Sequence, residues 1–442
     1  MKYRGTINDL HLLCDKIFTS HLSNHQQCRT ITKVRLKWVK NRSLDNIIDI
    51  HTDLKAACLL KDAIIHRPSA TQFLTAKSIA DTQKLLGITV PTLRFIRRYP
   101  TLFEEFPHPK YPSLPCFRLT NIALNLHNIE RKIYETHESD IVERLCRVLM
   151  MTRDKQIPLQ SLHPLRWDLG FPYDYDKTLI QNHPDKFRIV KGSNGVSSLK
   201  LEKWIDEFAV SELQKSNEIK EAKANNNDGD HDHYRRFMRG QTSLTFPLSF
   251  PRGYGAQKKV KSWMDEFQKL PYISPYEDST SIDPESELME KRIVGVLHEL
   301  LSLTVYKKTK RNYLRNLTDE LNMPFRFTRI FTRYPGIFYL SLKCKTTSVA
   351  LKEGYKRGKL VYACPIAKHR GKFHHVMRIG LIYRKKGLEM LSDLDKFVAA
   401  DDDDDAIGTN EKDSDDEEIE SSGEWVEDED EDEELDDVSD QD

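Results

Sequence analysis

Residues 320–342 read ELNMPFRFTRIFTRYPGIFYLSL, and two earlier segments repeat the same outline. They are LLGITVPTLRFIRRYPTLFEEF at 85–106 and DLGFPYDYDKTLIQNHPDKFRIV at 168–190. In each segment a Leu-Gly or Leu-Asn corner precedes a proline by 13 or 14 residues, and a phenylalanine stands three residues past the proline. The prolines are Pro100, Pro184 and Pro335, and the phenylalanines are Phe103, Phe187 and Phe338. Three matches in register indicate one supersecondary unit that is used three times.

The corner predicts where one helix ends and the next begins. Helical patterns precede it at 76–86, 159–169 and 314–321, and glycine or asparagine suits the left-handed residue that ends a helix. The next helix stops at the proline, because the residue before proline disfavours helical backbone. A hairpin follows, most clearly at 186–190 and 196–201, where Asn194-Gly195 forms the turn. Looser equivalents are 102–106 with 116–119, and 337–342 with 348–351.

The predicted fold class is therefore α+β, mainly helical, with three winged-helix-like helix-helix-helix-hairpin modules and a disordered acidic C-terminal tail. The modules span about 31–135, 138–213 and 287–385. Polar, Asn-rich residues at 214–233 predict one linker, and the prolines at 271–286 predict a second.

The helix before each proline shows two different faces. In the third copy, Phe327, Ile330, Phe331 and Tyr334 follow helical spacing and predict a buried stripe. Arginines occupy the opposite side of this helix and of the helix in the first copy, which predicts a nucleic-acid-binding ridge rather than an ordinary solvated face. The second copy has Gln181, Asn182 and His183 at these positions, so we expect it to be structural.

Other basic clusters extend this predicted surface. Residues 29–42 hold six bases and Trp38 with no acid, and bases also flank tyrosines near 306–313 and 352–359. Basic side chains neutralise phosphates, and interleaved aromatic rings stack on unpaired bases. The predicted nucleic-acid-binding residues are Arg35, Lys37, Trp38, Lys40, Arg42, Arg94, Arg97, Arg98, Lys307, Lys308, Lys310, Arg311, Arg326, Arg329, Arg333, Lys356, Arg357 and Lys359.

The charge is distributed unevenly along the 442 residues. Lysines and arginines number 68 against 68 acidic residues, yet residues 401–442 hold 25 acids and one base. The first 400 residues are therefore strongly basic. The tail lacks the apolar surface needed to fold alone. It is interpreted as a solubilising appendage, with an RNA mimic that competes for the basic face and a partner-binding segment as the alternatives.

The seven cysteines are scattered and never spaced as CxxC, so neither a disulfide framework nor a zinc finger is expected. Cys364 with His369, His374 and His375 is the nearest approach to a metal cluster, but its neighbouring bases favour a solvated basic loop. No cofactor and no metal site are predicted. No apolar run is long enough to cross a membrane. Residues 1–30 half fit an organelle transit peptide, and a floppy N-terminal extension is the alternative.

Longer motifs carry a family resemblance. VRLKWVKNRSLDNIID at 34–49, the segments at 85–106 and 168–190, and RYPGIFYLSLKCKTTSVALKEGYKRGKLV at 333–361 resemble the plant organelle RNA recognition domain. The likeness is strongest to its mitochondrial What's This Factor type, and it covers residues 33–385. It implies an imported, RNA-binding protein of a mitochondrion or chloroplast that promotes splicing of group II introns. The implied partners are intron-containing organelle RNA and other splicing factors, with no membrane and no small-molecule substrate.

Two other classes of function remain open at this point. A protein-interaction scaffold of an organelle ribonucleoprotein would dock partners on the same modules. A metal-dependent nuclease needs carboxylates held in a cluster, whereas the carboxylate-dense stretch here is the tail. No GxxxxGK[ST] loop, HExxH pair or GxSxG elbow occurs, so we predict that the chain is not an enzyme.

Overall fold

A computed structural model describes the chain between residues 34 and 383, with gaps at 35, 37, 68–72, 81–82, 89, 193–194, 226–242, 252, 255–256 and 343–346. The predicted transit segment, the acidic tail, the Asn194 turn position and the predicted RNA-binding residues Arg35 and Lys37 lie outside the described residues.

The described chain repeats one outline three times: a long helix, a short strand, two or more short helices and a two-stranded hairpin. The first copy comprises α1 (Arg42–Ile65), β1 (Leu74–Thr75), α2 (Ala76–Ala80), α3 (Gln83–Leu86), α4 (Thr92–Ile96), β2 (Phe103–Pro107) and β3 (Pro115–Leu119). After α5 (Asn121–Thr136), the second copy comprises α6 (Glu138–Met150), β4 (Gln156–Pro158), α7 (Leu159–Leu162), a 3-10 turn (His163–Leu165), α8 (Arg166–Leu169), α9 (Leu179–Asn182), β5 (Phe187–Lys191) and β6 (Ser197–Leu201).

The third copy follows a connecting region. That region contains a 3-10 turn (Asp206–Phe208), α10 (Glu212–Asn225) and α11 (Lys258–Lys269). The copy itself comprises α12 (Glu287–Leu303), β7 (Lys308–Lys310), α13 (Arg311–Arg315), α14 (Arg329–Arg333), β8 (Phe338–Ser341) and β9 (Ser348–Leu351). A 3-10 turn (Lys352–Gly354), the short hairpin β10 (Tyr355–Lys356) and β11 (Lys359–Leu360), and the last helix α15 (Pro365–Tyr383) complete the described chain.

Each copy builds a three-stranded antiparallel sheet in which the last strand lies in the middle. The orders are β1-β3-β2, β4-β6-β5 and β7-β9-β8. The three predicted hairpins are confirmed, with Phe103 opposite Leu119, Phe187 opposite Leu201 and Phe338 opposite Leu351. The mixed α+β class is therefore confirmed, and the three copies share one strand order.

The first strand of each sheet was missing from the sequence prediction. These strands are only two or three residues long, and β7 reads Lys-Thr-Lys, which carries no alternation of apolar and polar residues. Their pairing depends on the hairpin that they join, so the local sequence does not reveal them.

The corners behave as their residue types require. Gly87, Gly170 and Asn322 all have positive φ angles, of 67°, 74° and 51°, the left-handed backbone that ends a helix. A Cβ atom at Gly170 would lie 2.7 Å from Cγ2 of Val305. This corner therefore brings the second copy directly against the third, and glycine allows the contact.

Two hydrophobic cores hold the described chain together. The larger joins the second and third copies around α6 and α12, and includes the predicted stripe of Phe327, Ile330, Phe331 and Tyr334, all buried as expected. The smaller joins the first copy to α5 and α15. The stripe does not lie on one long helix, because α14 begins only at Arg329 and turns precede it.

Three sequence interpretations need correction. The predicted linker at 214–233 begins inside α10, which continues to Asn225. The segment at 271–286 is irregular, as predicted, but Tyr272, Ser274 and Tyr276 are buried in it, so it packs as part of the core. The histidines after Cys364 lie on α15 rather than on a solvated loop, and Arg370 among them is fully buried.

A buried ionic network joins the second and third copies through the irregular segment at 271–286. Arg147 on α6 donates to Glu299 on α12 at 2.6 Å, to the Tyr276 hydroxyl at 3.1 Å and to Glu212 on α10 at 2.8 Å. Glu299 also accepts from the Tyr276 hydroxyl at 2.7 Å and from the Glu212 backbone N–H at 2.8 Å. The guanidinium thus has carboxylate and phenol partners from three separate segments.

Candidate nucleic-acid interface

Two of the predicted basic clusters, far apart in sequence, meet at the N-terminal end of α1. The β10–β11 turn lies against that end, where a Cβ at Gly358 would be 3.4 Å from Cβ of Ser43. Tyr355 packs against a small apolar cluster formed by Leu44, Ile48 and Tyr339. We call the resulting surface the N-terminal basic patch and define it as Trp38, Lys40, Arg42, Lys356, Arg357 and Lys359.

Trp38 is fixed in this patch while part of its ring stays exposed. Its indole N–H donates to the Leu340 carbonyl at 2.7 Å, and its ring stacks on Tyr339 with centroids 6.3 Å apart. The Tyr339 hydroxyl in turn donates to Asp45 at 2.9 Å and accepts from the Asn41 backbone N–H at 3.0 Å. The side chain remains 39% exposed, so the indole is held in place and can still contact a ligand.

The five cations of the patch are exposed. Within the part of the chain that the structure describes, no carboxylate forms an ion pair with any of them. Asp45, the acid nearest in sequence, faces inward and binds Tyr339 and Ser341. The patch therefore presents uncompensated positive charge around an aromatic ring, which suits phosphate contacts and base stacking.

Acidic side chains already pair with part of the predicted arginine ridge. In the first copy, Arg97 forms two hydrogen bonds with Glu105, at 2.8 and 2.7 Å, and Arg98 lies 3.9 Å from Asp53. Arg94 is exposed, and the structure gives it no partner among the described residues. In the third copy, Arg333 pairs with Glu290 at 2.8 Å, whereas Arg326 and Arg329 are exposed.

The residue before each repeat proline has a structural role. The Tyr99 hydroxyl donates to Asp53 on α1 at 2.9 Å, and the Tyr334 hydroxyl donates to Glu290 on α12 at 2.7 Å. In the second copy a ring nitrogen of His183 lies 2.9 Å from the carboxylate of Glu138 on α6. All three copies thus fasten the proline corner to an acid on the copy's own long helix. Sequence reasoning missed this anchor because the acids lie more than 40 residues away from the corners.

The basic cluster at 307–311 divides between two roles. Lys307 has a positive φ of 49°, packs against Gly354 and donates to the Ser302 carbonyl. It is therefore a structural residue in this conformation. Arg311 is half-buried and its backbone N–H donates to the Thr347 carbonyl at 2.9 Å. Lys308 and Lys310 line a cleft between the three copies.

This cleft, which we call the junction cleft, is formed by α1, the α8 corner and β7 with α13. Lys55 of α1 enters it, with Nζ 3.0 Å from Asp168 Oδ1 and 5.3 and 4.9 Å from the ring centroids of Trp167 and Tyr313. Lys310 lies over Tyr313 as well, at 5.9 Å. Sequence analysis missed Lys55, because α1 carries several other charged residues, among them Asp49, Asp53 and Lys61, and the sequence does not distinguish Lys55 from them.

Two exposed aromatic side chains were also missed. Phe325 is 88% exposed beside Arg326, and Tyr362 is 84% exposed shortly after Lys359. The spacing that defined the buried stripe excludes Phe325, so the helical period could have identified it as outward-facing. Tyr362 follows a short hairpin and has no such signal.

One group of potential metal ligands occurs among the described residues, consisting of Asp62, His127 and Glu130. The ammonium group of Lys61 forms ion pairs with both carboxylates. Despite burial, that contact lowers the pKa of Glu130 to about 2, and burial lowers the pKa of His127 to about 4. Lysine therefore already supplies the positive charge that a metal would bring.

No helix among the described residues combines the length and the apolar character required to span a bilayer.

Comparison with known proteins identifies the family. The Plant organelle RNA recognition domain matches residues 39–381. Protein WHAT'S THIS FACTOR 9, mitochondrial, of Arabidopsis thaliana is 34% identical over 368 residues, which cover 82% of this chain and 90% of that protein.

Two further relatives come from the same plant. Protein WHAT'S THIS FACTOR 1 homolog, chloroplastic, is 27% identical over 80% of this chain and 65% of its own length. Protein ROOT PRIMORDIUM DEFECTIVE 1 is 29% identical over 76% of this chain and 81% of its own length. No solved structure matches the chain. The match to the domain across most of the described residues shows that the chain belongs to the plant organelle RNA recognition domain family.

Proposed function

We propose that the chain is a non-catalytic RNA-binding protein that promotes splicing of group II introns in organelle transcripts. Group II intron RNA carries its own catalytic centre, so a protein assists by holding the RNA fold through phosphate contacts and stacking. The proposal rests on membership of the family and on the N-terminal basic patch. The winged-helix interpretation of the three copies is part of this proposal, and the shared strand order supports it.

The N-terminal basic patch is the observation that carries the proposal. It brings five exposed cations from two distant segments around a half-exposed indole. Arginine pairs with two phosphate oxygens and also stacks on bases, while lysine acts as a compact point charge. The exposed Phe325 beside Arg326 and Arg329 offers a second place for an unpaired base.

The partner that this chemistry fits is intron-containing organelle RNA, with other splicing factors in the same ribonucleoprotein. We propose a mitochondrial location, because the relative at 34% identity is named as mitochondrial. The chloroplast is the alternative, since another relative is named as chloroplastic. We propose neither a small-molecule substrate nor a catalytic role.

A protein-interaction scaffold is the second candidate. The exposure of Phe325, Tyr362 and Leu342 favours it, because large apolar side chains left in water are typical of docking surfaces. Each of the three has a basic residue within three positions in the sequence, namely Arg326, Lys343 and Lys359, which is why RNA binding is preferred.

The test is binding of the full chain to group II intron RNA and to duplex DNA of equal length across a range of salt concentrations. One variant replaces four patch cations with glutamine, at Lys40, Lys356, Arg357 and Lys359. The matched control replaces four exposed lysines of α11 with glutamine, at Lys258, Lys259, Lys261 and Lys269. Both variants lose the same charge.

We expect the intron RNA to bind more tightly than the duplex, with an affinity that falls steeply as salt rises. The patch variant should bind RNA about 10-fold or more weakly. The slope of log affinity against log salt concentration should become shallower by about 0.7 for each lost contact to a single-stranded phosphate. The control should stay close to the unmodified chain. Equal losses in the two variants would mean that only net charge matters, and absence of RNA binding would make the scaffold the leading function.

A further inference from the structure

The first strand of each hairpin lies at one edge of its sheet, and these edge strands are β2, β5 and β8. In an antiparallel sheet, every second residue of an edge strand turns its backbone N–H and C=O away from the neighbouring strand. In the second copy the Glu202 N–H donates to the Lys186 carbonyl at 2.8 Å, which fixes this alternation. The backbone groups of Ile189 and Lys191 therefore point outward from β5, away from β6.

The third copy covers the equivalent edge. Leu340 stands two residues past the repeat phenylalanine, as Ile189 does in the second copy. The Lys352 N–H donates to the Ile337 carbonyl at 2.9 Å, so the backbone groups of Leu340 point outward as well. The outward carbonyl accepts from the Trp38 indole N–H at 2.7 Å, and all four residues of β8 are buried. The segment that carries Trp38 therefore closes this edge.

The first copy closes its edge with its own residue types. Glu105 stands at the position of Ile189, and Arg97 donates to its carboxylate at 2.8 and 2.7 Å. Pro107 stands at the position of Lys191 and has no N–H to donate. Charged side chains and prolines are devices that keep an edge strand from pairing with another chain.

The edge of the second copy is open. Within the part of the chain that the structure describes, nothing bonds to the outward backbone groups of Ile189 and Lys191. The Ile189 side chain is 43% exposed, and β-branched residues such as Ile189 and Val190 favour strand formation. β5 thus offers backbone donors and acceptors beside an exposed apolar side chain, which is what the addition of a strand requires.

The charge around β5 indicates which strand would be added. Residues 186–201 hold four bases and no acid. Two of these bases pair with neighbouring acids, whereas the exposed Lys191 and Lys200 form no ion pair with any carboxylate among the described residues. Two copies of this basic strand would repel each other, and an acidic strand would be attracted.

We propose that β5 binds an extended, acidic peptide segment of a partner protein, which adds a strand to the second sheet. Backbone hydrogen bonds to Ile189 and Lys191 supply the affinity, and acidic side chains near Lys191 and Lys200 supply the preference for this partner. A strand of RNA fits the edge less well, because its backbone lacks alternating N–H and C=O groups. The inference goes beyond the proposed RNA contacts, since it assigns protein binding to the second copy.

The probe is a short synthetic peptide that alternates glutamate with valine, added to the full chain. One comparison peptide has lysine in place of glutamate, and another has every backbone nitrogen methylated and so cannot donate. The edge variant combines Ile189→Glu with Lys191→Pro, which gives β5 the residue types that close the edge of the first copy. The matched control combines Lys177→Gln with Lys203→Gln, two exposed lysines outside β5 whose loss changes the charge equally. Thermal unfolding checks that both variants are folded.

We expect the probe to slow hydrogen exchange of the β5 amides, measured by mass spectrometry. It should bind the edge variant at least about 10-fold more weakly than the control, because an outward N–H is lost and a new carboxylate repels the probe. The lysine and methylated peptides should bind far more weakly than the probe. The edge variant should bind intron RNA like the control.

Strand addition would be refuted if the unmodified chain did not bind the probe, if the methylated peptide bound equally, or if the folded edge variant matched the control. Equal binding of the lysine peptide would refute the acidic preference. Dimers that form only with an unmodified β5 would assign the edge to a second copy, and RNA affinity lost only in the edge variant would assign it to RNA; either result overturns the proposal. The RNA titration is separate, so failure of the peptide leaves the proposed function intact.

Discussion

Replacing Arg147 with methionine should unfold the second and third copies more easily, because the guanidinium is the centre of the network that joins them. Methionine keeps most of the aliphatic volume but removes every donor to Glu299, Glu212 and Tyr276. The critical partner is Glu299, which is fully buried. Its carboxylate would remain without a compensating charge.

The size of the effect follows from these contacts. Removing one partner of a buried ion pair costs about 3–5 kcal/mol in the free energy of unfolding. Glu299 keeps two donors, the Tyr276 hydroxyl and the Glu212 backbone N–H, so we expect a loss near the lower end, about 3 kcal/mol. The Glu212 carboxylate is well exposed and adds little.

The assay is urea unfolding followed by far-UV circular dichroism, with Arg147→Met, Glu299→Leu and the double variant measured together. The double variant should lose less unfolding free energy than the two single variants lose together, by at least about 1.5 kcal/mol. The reason is that it contains no unpaired buried charge. A loss below about 0.5 kcal/mol for Arg147→Met alone, or additive losses in the double variant, would show that the network does not join the copies.

Three other outcomes are expected. Gly170→Ala should destabilise the chain by about 1–3 kcal/mol, since this residue has a φ of 74° and a Cβ there would lie 2.7 Å from a neighbouring side chain. Thermal unfolding of the variant beside the wild-type chain measures the loss of stability, and an unchanged midpoint would contradict the packing described. Burial lowers the pKa of His369 from 6.5 to about 4, so the unfolded chain binds more protons between these values and stability should fall as pH drops from 6.5 to 4; His369→Gln should make that fall less steep, and an identical pH profile would argue against a buried neutral ring. Arg329→Gln should weaken RNA binding more than Arg333→Gln, because Arg333 is already paired with Glu290; the reverse order in a binding titration would mean that this pair opens when RNA binds.

Much of the fold could be predicted because its signals are local. The corners need a left-handed residue, and Gly87, Gly170 and Asn322 supply it. The helices end before proline for a steric reason that involves adjacent residues. The hairpins follow within a few residues, and all three form as expected.

The features that escaped prediction depend on distant partners. β7 reads as a polar tripeptide and becomes a strand only because β9 pairs with it. The segment at 271–286 resembles a loop by composition, yet Tyr276 is buried because Arg147 and Glu299 bind its hydroxyl. Neither partner is visible in the local sequence.

The same distinction applies to the candidate site. Sequence identified Lys40, Arg42, Lys356, Arg357 and Lys359 as basic, but only the packing of the β10–β11 turn on α1 shows that they form one surface. Conversely, the arginine ridge could be predicted from helical spacing, while the carboxylates that pair with it could not. Glu105 and Glu290 reach Arg97 and Arg333 through tertiary structure.

The most direct test of the central claim is ultraviolet crosslinking of the full chain to group II intron RNA, followed by mass spectrometry of the crosslinked peptides. We predict adducts at Trp38 and in the peptides that contain Lys356–Lys359, with weaker adducts at Phe325. Competing RNA should reduce these adducts and high salt should abolish them. Adducts confined to α11, or an equal yield with duplex DNA, would contradict RNA recognition through the N-terminal basic patch.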